Sequence, residues 1–273
     1  MKQLVFLIFT WSLLTPSLVA GNVNYRVLAF YTAQNDQAHI SFVKEAKKWF
    51  GLQAHKHHFL FRYTDDWNRL NPDTLKRYQV ILFLDTRPEK PEQRAAFEEY
   101  MRNGGAWMGF HFAAFALTPS DFPQDWNWYH ESFLGCGQYK SNTWRPTSAI
   151  LKIENHHHPA TQHLPETIVA APNEWYRWEN NLRDNPEIEV LASIDPSSFP
   201  LGTGPKPHEI WHEGDYPVVW TNRAYHMIYF NMGHNDIDYE GHTNATLSST
   251  FSSKRQDRMI LDALDWLGHS MND

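Results

Sequence analysis

Histidines follow two apolar stretches of the chain, at positions that suit acid–base chemistry. Residues 104–111 read Gly-Gly-Ala-Trp-Met-Gly-Phe-His and residues 229–234 read Tyr-Phe-Asn-Met-Gly-His, so His111 and His234 each come within two residues of a glycine. In open α/β sheets, ligands bind at the carboxyl ends of the strands. Imidazole titrates near neutral pH, so two histidines at such ends can exchange protons with a polar substrate. We expect His111 and His234 to act as acid and base.

Other polar side chains are expected to complete this site. Glu174, in the run Asn-Glu-Trp-Tyr, is the carboxylate that would orient an imidazole or share its proton. Asn235 and Asp236 follow His234 directly and are expected to position the substrate. The alternative for His111 is a hydrogen-bonded core histidine without a chemical role, and its place at a strand end favours the functional interpretation.

Residues 208–212 match the zinc-protease pattern His-Glu-x-x-His. That pattern requires a helix, because only helical spacing places both imidazoles on one face. Here it lies between Pro207 and the run Gly-Asp-Tyr-Pro that ends at Pro217, which leaves too little room for a long helix. We therefore do not expect a metalloprotease.

Two further histidine groups have less specific patterns. His55, His57 and His58 are expected near the start of a strand, on a solvated face, and His156–His158 are expected in a loop before Pro159. Histidines from separate loops can converge on a transition metal ion. We expect no cofactor, because neither group has a specific ligand pattern. A metal ion bound by such histidines is the alternative.

Aromatic residues are concentrated in the middle of the chain. They are Trp126, Trp128, Tyr129, Trp144, Trp175, Tyr176 and Trp178. Flat rings stack on the apolar faces of sugars, while Asn, Asp and His side chains bind the hydroxyl groups. We expect Trp126, Tyr129 and Tyr176 to contact a sugar, and packing in an irregular core is the equal alternative.

Composition and charge restrict the class of protein. With 42% hydrophobic and 20% charged residues the chain is globular, which excludes collagen-like, coiled-coil and disordered classes. The net charge of -7, without a basic block, makes nucleic acid an unexpected partner. The single cysteine, Cys136, has no intrachain partner for a disulfide. The expected partner is a small carbohydrate, and the sequence indicates no oligomeric state.

Residues 1–20 have the layout of a secretory signal. Lys2 precedes an apolar run from Leu4 to Leu14, and the small residue Ala20 marks a cleavage site before Gly21. The run is about half the roughly 20 residues that a spanning helix needs. We expect an exported protein, periplasmic or extracellular, without a stable membrane anchor after cleavage.

Apolar runs alternate with helical patterns through most of the remaining chain, which predicts a parallel sheet flanked by helices. Predicted strands cover residues 25–31, 59–63, 79–85, 106–110, 147–153, 188–194, 217–221 and 226–231, and predicted helices cover 38–50, 91–102 and 255–267. Gly51 is expected to cap the first helix. No internal repeat or linker divides the chain, so residues 21–273 are expected to form one domain with an elaborated middle region.

Four motifs in order resemble the ThuA family, named for trehalose utilisation. They are Gly-Phe-His at 109–111, His-Pro-Ala-Thr at 158–161 with Leu-Pro at 164–165, Glu-Trp-Tyr at 174–176 and Gly-His at 233–234. The resemblance implies a doubly wound, mostly parallel sheet of the flavodoxin-like, class I glutamine amidotransferase-like type. It also implies that His158 faces the crevice. Asn173 stands where an acid is common in the family.

The resemblance implies a function as well. True amidotransferases place a cysteine nucleophile at the strand-to-helix elbow, where this chain has His111, so glutamine amidotransfer is not expected. We expect an exported ThuA-like protein that binds and transforms a sugar or keto-sugar, such as a derivative of a trehalose-like disaccharide, through His111, His234 and Glu174. The alternatives are a non-catalytic carbohydrate-binding protein and a metal-dependent hydrolase.

Overall fold

The computed structural model describes residues 23–34, 36–143, 146–199, 209–234 and 248–269. The predicted signal segment and six other residues of the sequence analysis lie outside these ranges, namely Gly21, Trp144, Pro207, His208, Asn235 and Asp236. Among the described residues, no helix combines the length and the apolar character needed to cross a membrane.

Eleven strands and four α-helices are found in the described residues. The strands are β1 (Arg26–Phe30), β2 (Leu60–Thr64), β3 (Val80–Phe83), β4 (Ala106–Phe110), β5 (Tyr139–Asn142), β6 (Ile150–Ile153), β7 (Thr167–Val169), β8 (Tyr176–Trp178), β9 (Ile188–Ile194), β10 (Pro217–Asn222) and β11 (Tyr225–Phe230). The helices are α1 (Gln37–His57), α2 (Pro72–Leu75), α3 (Pro91–Arg102) and α4 (Lys254–His269), together with a π-helix over Trp128–Phe133.

Nine of the strands form one sheet in the order β2-β1-β3-β4-β11-β10-β9-β6-β7. The first five are parallel, and their order is that of flavodoxin-like doubly wound sheets. The other four pair antiparallel and extend one edge, while β5 and β8 form a separate two-stranded sheet. The predicted fold class is confirmed.

Both faces of the central strands are covered, which explains why they are continuous apolar runs. All the residues of β3 and β4 are buried. Helices α1 and α4 supply the core on one face, and α3 with the π-helix supplies the core on the other. A parallel sheet needs this double cover, because neither of its faces is polar.

The first helix is longer than predicted. It continues through Gly51 to His57 and ends where His58 adopts a left-handed conformation with φ 58°. A glycine inside a helix costs only about 1 kcal/mol, and the residues that follow it are good helix formers. His55 and His57 are therefore exposed residues of the last helical turn, rather than neighbours at the start of a strand.

Candidate functional site

His111 forms the elbow after β4. Its φ of 42° is rare for a residue with a side chain, and such strained positions are concentrated at functional sites. Its ring Nδ1 lies 3.0 Å from the carbonyl oxygen of Asn231, just after β11. Because a carbonyl only accepts, Nδ1 carries the hydrogen and Nε2 keeps its lone pair. The Tyr229 hydroxyl donates to the carbonyl of His111 at 2.7 Å and holds the backbone of the elbow.

Gly233 brings the end of β11 past this elbow. Its φ is 137°, and a Cβ at this position would lie 3.1 Å from Cβ of His111. The amide of Gly233 donates to Oδ1 of Asn173 at 3.0 Å, and the amide of Glu174 donates to the carbonyl of His234 at 3.0 Å. Asn173 thus acts as a neutral acceptor that ties the two segments together, and the glycine is required by space as well as by conformation.

The three predicted reactive side chains converge. Oε2 of Glu174 lies 3.4 Å from Nε2 of His111 and 3.4 Å from Nδ1 of His234. The other oxygen, Oε1, accepts a hydrogen bond of 2.6 Å from the side chain of Asn142. The structure therefore places Glu174 between the two histidines.

Two residues that the sequence analysis missed join this group. Asp36 precedes α1 and accepts from the amide of Ala38 at 2.8 Å, and its Oδ1 lies 3.7 Å from Nε2 of His234. The ring centroid of His39 lies 4.8 Å from that of His234 and 6.0 Å from that of His111. Both residues follow β1 in the sequence, and the carboxyl end of β1 lies on the same edge of the sheet as that of β4. Their position after a predicted strand could therefore have identified them.

Exposure falls steadily from the rim of the site to its base. The exposed fraction of the side chain is 51% for Asp36, 16% for His234, 7% for Glu174 and 1% for His111. Tyr176 closes the base, with its ring centroid 3.8 Å from that of His111. The group is therefore open to solvent on the side of Asp36 and closed at His111.

Burial and mutual contact set the charges in the site. Burial lowers the pKa of His111 and holds the pKa of His39 well below its usual value, so both imidazoles are neutral at neutral pH. Burial alone would raise the pKa of Glu174, but His234 and His111 outweigh it and lower the pKa. The contact with His234 lowers the pKa of Asp36. The site thus contains two carboxylates and at least two neutral imidazoles.

Other residues expected at the site lie elsewhere. Trp126 and Tyr129 stack on each other at 4.5 Å in the core, and their polar atoms donate to Glu98 at 2.7 Å and to the carbonyl of Ala113 at 2.9 Å. Tyr129 is completely buried, so no face of its ring is open to a sugar. For these two residues the structure assigns core packing in place of the expected sugar contact.

His158 is also displaced from the expected crevice. Its ring contacts Trp266, which in turn contacts His226. Since His226 lies near the start of β11 and His234 lies beyond its end, His158 is at the opposite edge of the sheet. The expectation that it faces the crevice is therefore wrong.

The described part of the His-Glu-x-x-His match is not helical. Residues 209–212 form an irregular segment. Glu209 accepts from the Ser141 hydroxyl at 3.0 Å and lies 3.5 Å from Arg177. With no helix here, the segment lacks the geometry of a zinc-protease motif.

Comparison with known proteins identifies the family. The ThuA family model, described as trehalose utilisation, matches residues 26–266. The chain belongs to the ThuA family. A solved ThuA-like protein from Bacteroides uniformis is 34% identical, with a TM-score of 0.76, and the match covers 93% of this chain and 95% of that one.

A second solved ThuA-like protein, from Parabacteroides merdae, shares the fold at 17% identity, with a TM-score of 0.60 and 89% of each chain covered. None of the curated proteins matches the sequence. ThuA membership confirms the resemblance seen in the sequence and supports a role related to carbohydrate metabolism.

Proposed function

We propose that this ThuA-family protein transforms a keto-sugar, such as a keto derivative of a trehalose-like disaccharide, by proton transfer at His111, Glu174 and His234. The observation that carries the proposal is the convergence of the three side chains: Oε2 of Glu174 lies 3.4 Å from Nε2 of His111 and 3.4 Å from Nδ1 of His234, and the other nitrogen of His111 is fixed by the carbonyl of Asn231. A neutral imidazole that is oriented by fixed hydrogen bonds is suited to act as a general base.

A carbonyl group makes the hydrogen on the neighbouring carbon of a sugar acidic. In the proposed step, Nε2 of His111 takes that proton, the electrons of the C–H bond form a C=C bond, and the carbonyl oxygen gains a proton from His234. The product is an enediol, which returns a proton to either carbon. His234 lies between Glu174 and Asp36, so the charge of its protonated form is compensated before the transfer.

The shape of the site agrees with this order of events. Asp36 and His234 at the rim meet the substrate first, and the base lies at the bottom, where water is excluded. A proton acceptor in a dry site is more effective than one in water, because the surroundings do not have to reorganise. Tyr176 lies against His111 and is the aromatic side chain that we propose as a substrate contact.

Three further features belong to the proposal. The substrate partner is a small carbohydrate, and nucleic acid is not a proposed partner. The protein is exported through the signal segment at residues 1–20, and Asn235 and Asp236, beside His234, help to position the substrate.

Proton exchange provides the test. The wild-type protein is incubated with a keto derivative of trehalose in D₂O, and NMR follows deuterium entering the position next to the carbonyl. We expect rapid exchange, and a fall of roughly 10²–10⁴-fold for Glu174→Gln and for His111→Asn. Asparagine is chosen at 111 because it tolerates positive φ.

His57→Asn is the matched control, since His57 is exposed in the last turn of α1. It should retain the wild-type rate. Saturable sugar binding without exchange in the wild type would identify a non-catalytic carbohydrate-binding protein instead. Wild-type rates in both Glu174→Gln and His111→Asn would also overturn the assignment.

A further inference from the structure

We propose that His111, Glu174 and His234 bind one divalent transition metal ion through Nε2, Oε2 and Nδ1. This inference concerns the same site as the proposed function and rests on it only in that respect, because the ion and the proposed proton transfer compete for Nε2 of His111 and for His234. The three ligand atoms all lie within 4.8 Å of one another, on three segments that the fold brings together.

The spacing of these atoms fits a shared ion better than direct hydrogen bonds. Oε2 of Glu174 is 3.4 Å from each imidazole nitrogen, whereas hydrogen bonds to a charged group are about 2.7–2.9 Å long. Ligand atoms placed about 2.0–2.1 Å from a tetrahedral ion are about 3.3–3.4 Å from each other. The two distances are thus those between neighbouring ligands of one ion.

The outer contacts are those that a metal site needs. Nδ1 of His111 carries its hydrogen toward the Asn231 carbonyl, and this leaves Nε2 free to bind an ion. On His234, Nε2 faces Asp36 at 3.7 Å while Nδ1 faces the proposed ion. Oε1 of Glu174 accepts from Asn142, so only Oε2 is directed at the site. Ligating histidines ordinarily have a carboxylate or backbone carbonyl at the second nitrogen.

The charge of the pocket also favours a cation. The carboxyl group of Glu174 is only 7% exposed, and that of Asp36 lies 3.7 Å from the second nitrogen of His234. Buried charge is costly unless it is paired or bound to a metal. A divalent ion bound by Glu174 would compensate the charge of this buried carboxylate.

The ligand types indicate the class of ion. Two imidazoles and one carboxylate suit Zn²⁺, Co²⁺ and similar ions, whereas Mg²⁺ and Ca²⁺ prefer oxygen ligands. Three protein ligands leave a fourth position open, as in catalytic zinc sites. An ion held by these residues would be able to bind a sugar oxygen there and polarise its carbonyl group. With the ion bound, His111 and His234 would be ligands and could not transfer protons, so the metal-bound form would not carry out the proton transfer proposed above.

A metal titration tests the inference. Chelator-treated wild-type protein is titrated with Co²⁺, followed by visible absorption, and with Zn²⁺, followed by calorimetry. We expect one ion per chain, and a loss of affinity of more than about 100-fold for Glu174→Gln and His111→Asn. Asn142→Ala, which removes an outer contact, should lose about 10–100-fold. His57→Asn should bind as the wild type does.

Absence of stoichiometric binding in the wild type, or wild-type affinity in both ligand variants, would overturn the metal site. Thermal unfolding of the wild type provides a readout that needs no variant, since a bound ion raises Tm and the chelator reverses the rise. If Zn²⁺ binds but the chelator-treated protein shows no deuterium exchange, the metal site stands and the keto-sugar chemistry falls. If the chelator-treated protein binds no added ion and still exchanges deuterium at the full rate, the keto-sugar chemistry stands and the metal site falls.

Discussion

At the scale of single residues, burial alone does not distinguish a reactive histidine from a structural one. His111 and His130 are both almost completely buried. His111 has a carboxylate at 3.4 Å and a fixed tautomer, whereas neither ring nitrogen of His130 has a hydrogen-bond partner among the described residues. Burial, with the charges of Arg87 and Arg94, lowers the pKa of His130 to about 3. His130 thus contributes to packing at a cost in stability.

Replacing His130 by leucine should make the protein less sensitive to acid. The unfolded chain binds a proton at this histidine below about pH 6.5, but the folded chain does so only below about pH 3. The wild type therefore loses up to about 1.4 kcal/mol of unfolding free energy per pH unit as the pH falls through this range. Between pH 7 and pH 5, urea unfolding should show His130→Leu gaining about 2 kcal/mol relative to the wild type. If the variant and the wild type differed in free energy of unfolding by the same amount at pH 7 and at pH 5, protonation of His130 would not be the cause.

At the scale of elements, the ends of strands and helices do most of the positioning. The elbow after β4, the glycine after β11 and the residues before α1 each direct one polar group into the site. Glycines in these elements have unlike roles. Gly51 lies exposed within α1, whereas Gly104 follows α3 with φ 83°, and a Cβ at either would meet no described atom within 4 Å.

These two glycines give a matched pair of substitutions. Gly51→Ala should raise the free energy of unfolding by about 0.5–1 kcal/mol, because alanine is the better helix former and the site has room for its methyl group. Gly104→Ala should lower it by about 1–2 kcal/mol, because alanine is strained at positive φ. Urea unfolding of both variants measures the effects. If both changes had the same sign, backbone conformation would not be the deciding factor.

At the scale of the whole molecule, the last helix closes the core over the first strand. Gly268 near the end of α4 lies against the ring of Tyr25, and the Tyr25 hydroxyl donates to Asp265 at 2.7 Å. Tyr25 also stacks on Phe59 at 5.2 Å, so its ring has little freedom to move. Contacts between the two ends of the described chain thus depend on a glycine that leaves space for one ring.

Gly268→Ala should therefore destabilise the entire fold. The added Cβ would lie 2.4 Å from a ring carbon of Tyr25, and overpacking of this kind costs about 1–3 kcal/mol. The midpoint of urea unfolding should fall, with one transition by both circular dichroism and fluorescence. An unchanged midpoint would mean that α4 shifts away from β1 without cost.

Much of the framework was predictable because it depends on local patterns. The sequence indicated the central strands and the ends of α3, since apolar runs, proline and paired glycines act over a few residues. It missed α2, the π-helix, β5, β7 and β8, because these segments are too short to show a clear period. It also ended α1 at Gly51, although the favourable residues beyond the glycine continue the helix to His57.

The sequence by itself determined the fold class and placed His111 and His234 after strands, because apolar runs and glycines encode these features locally. Only the tertiary structure decided that Asp36 and His39 join them, because the order β1-β3-β4-β11 brings together strand ends that are far apart in the chain. It also decided that Trp126 and Tyr129 belong to the core and that His158 lies at the opposite edge. Aromatic and imidazole rings fit both a core and a binding site, and the neighbours that surround them determine which role they have.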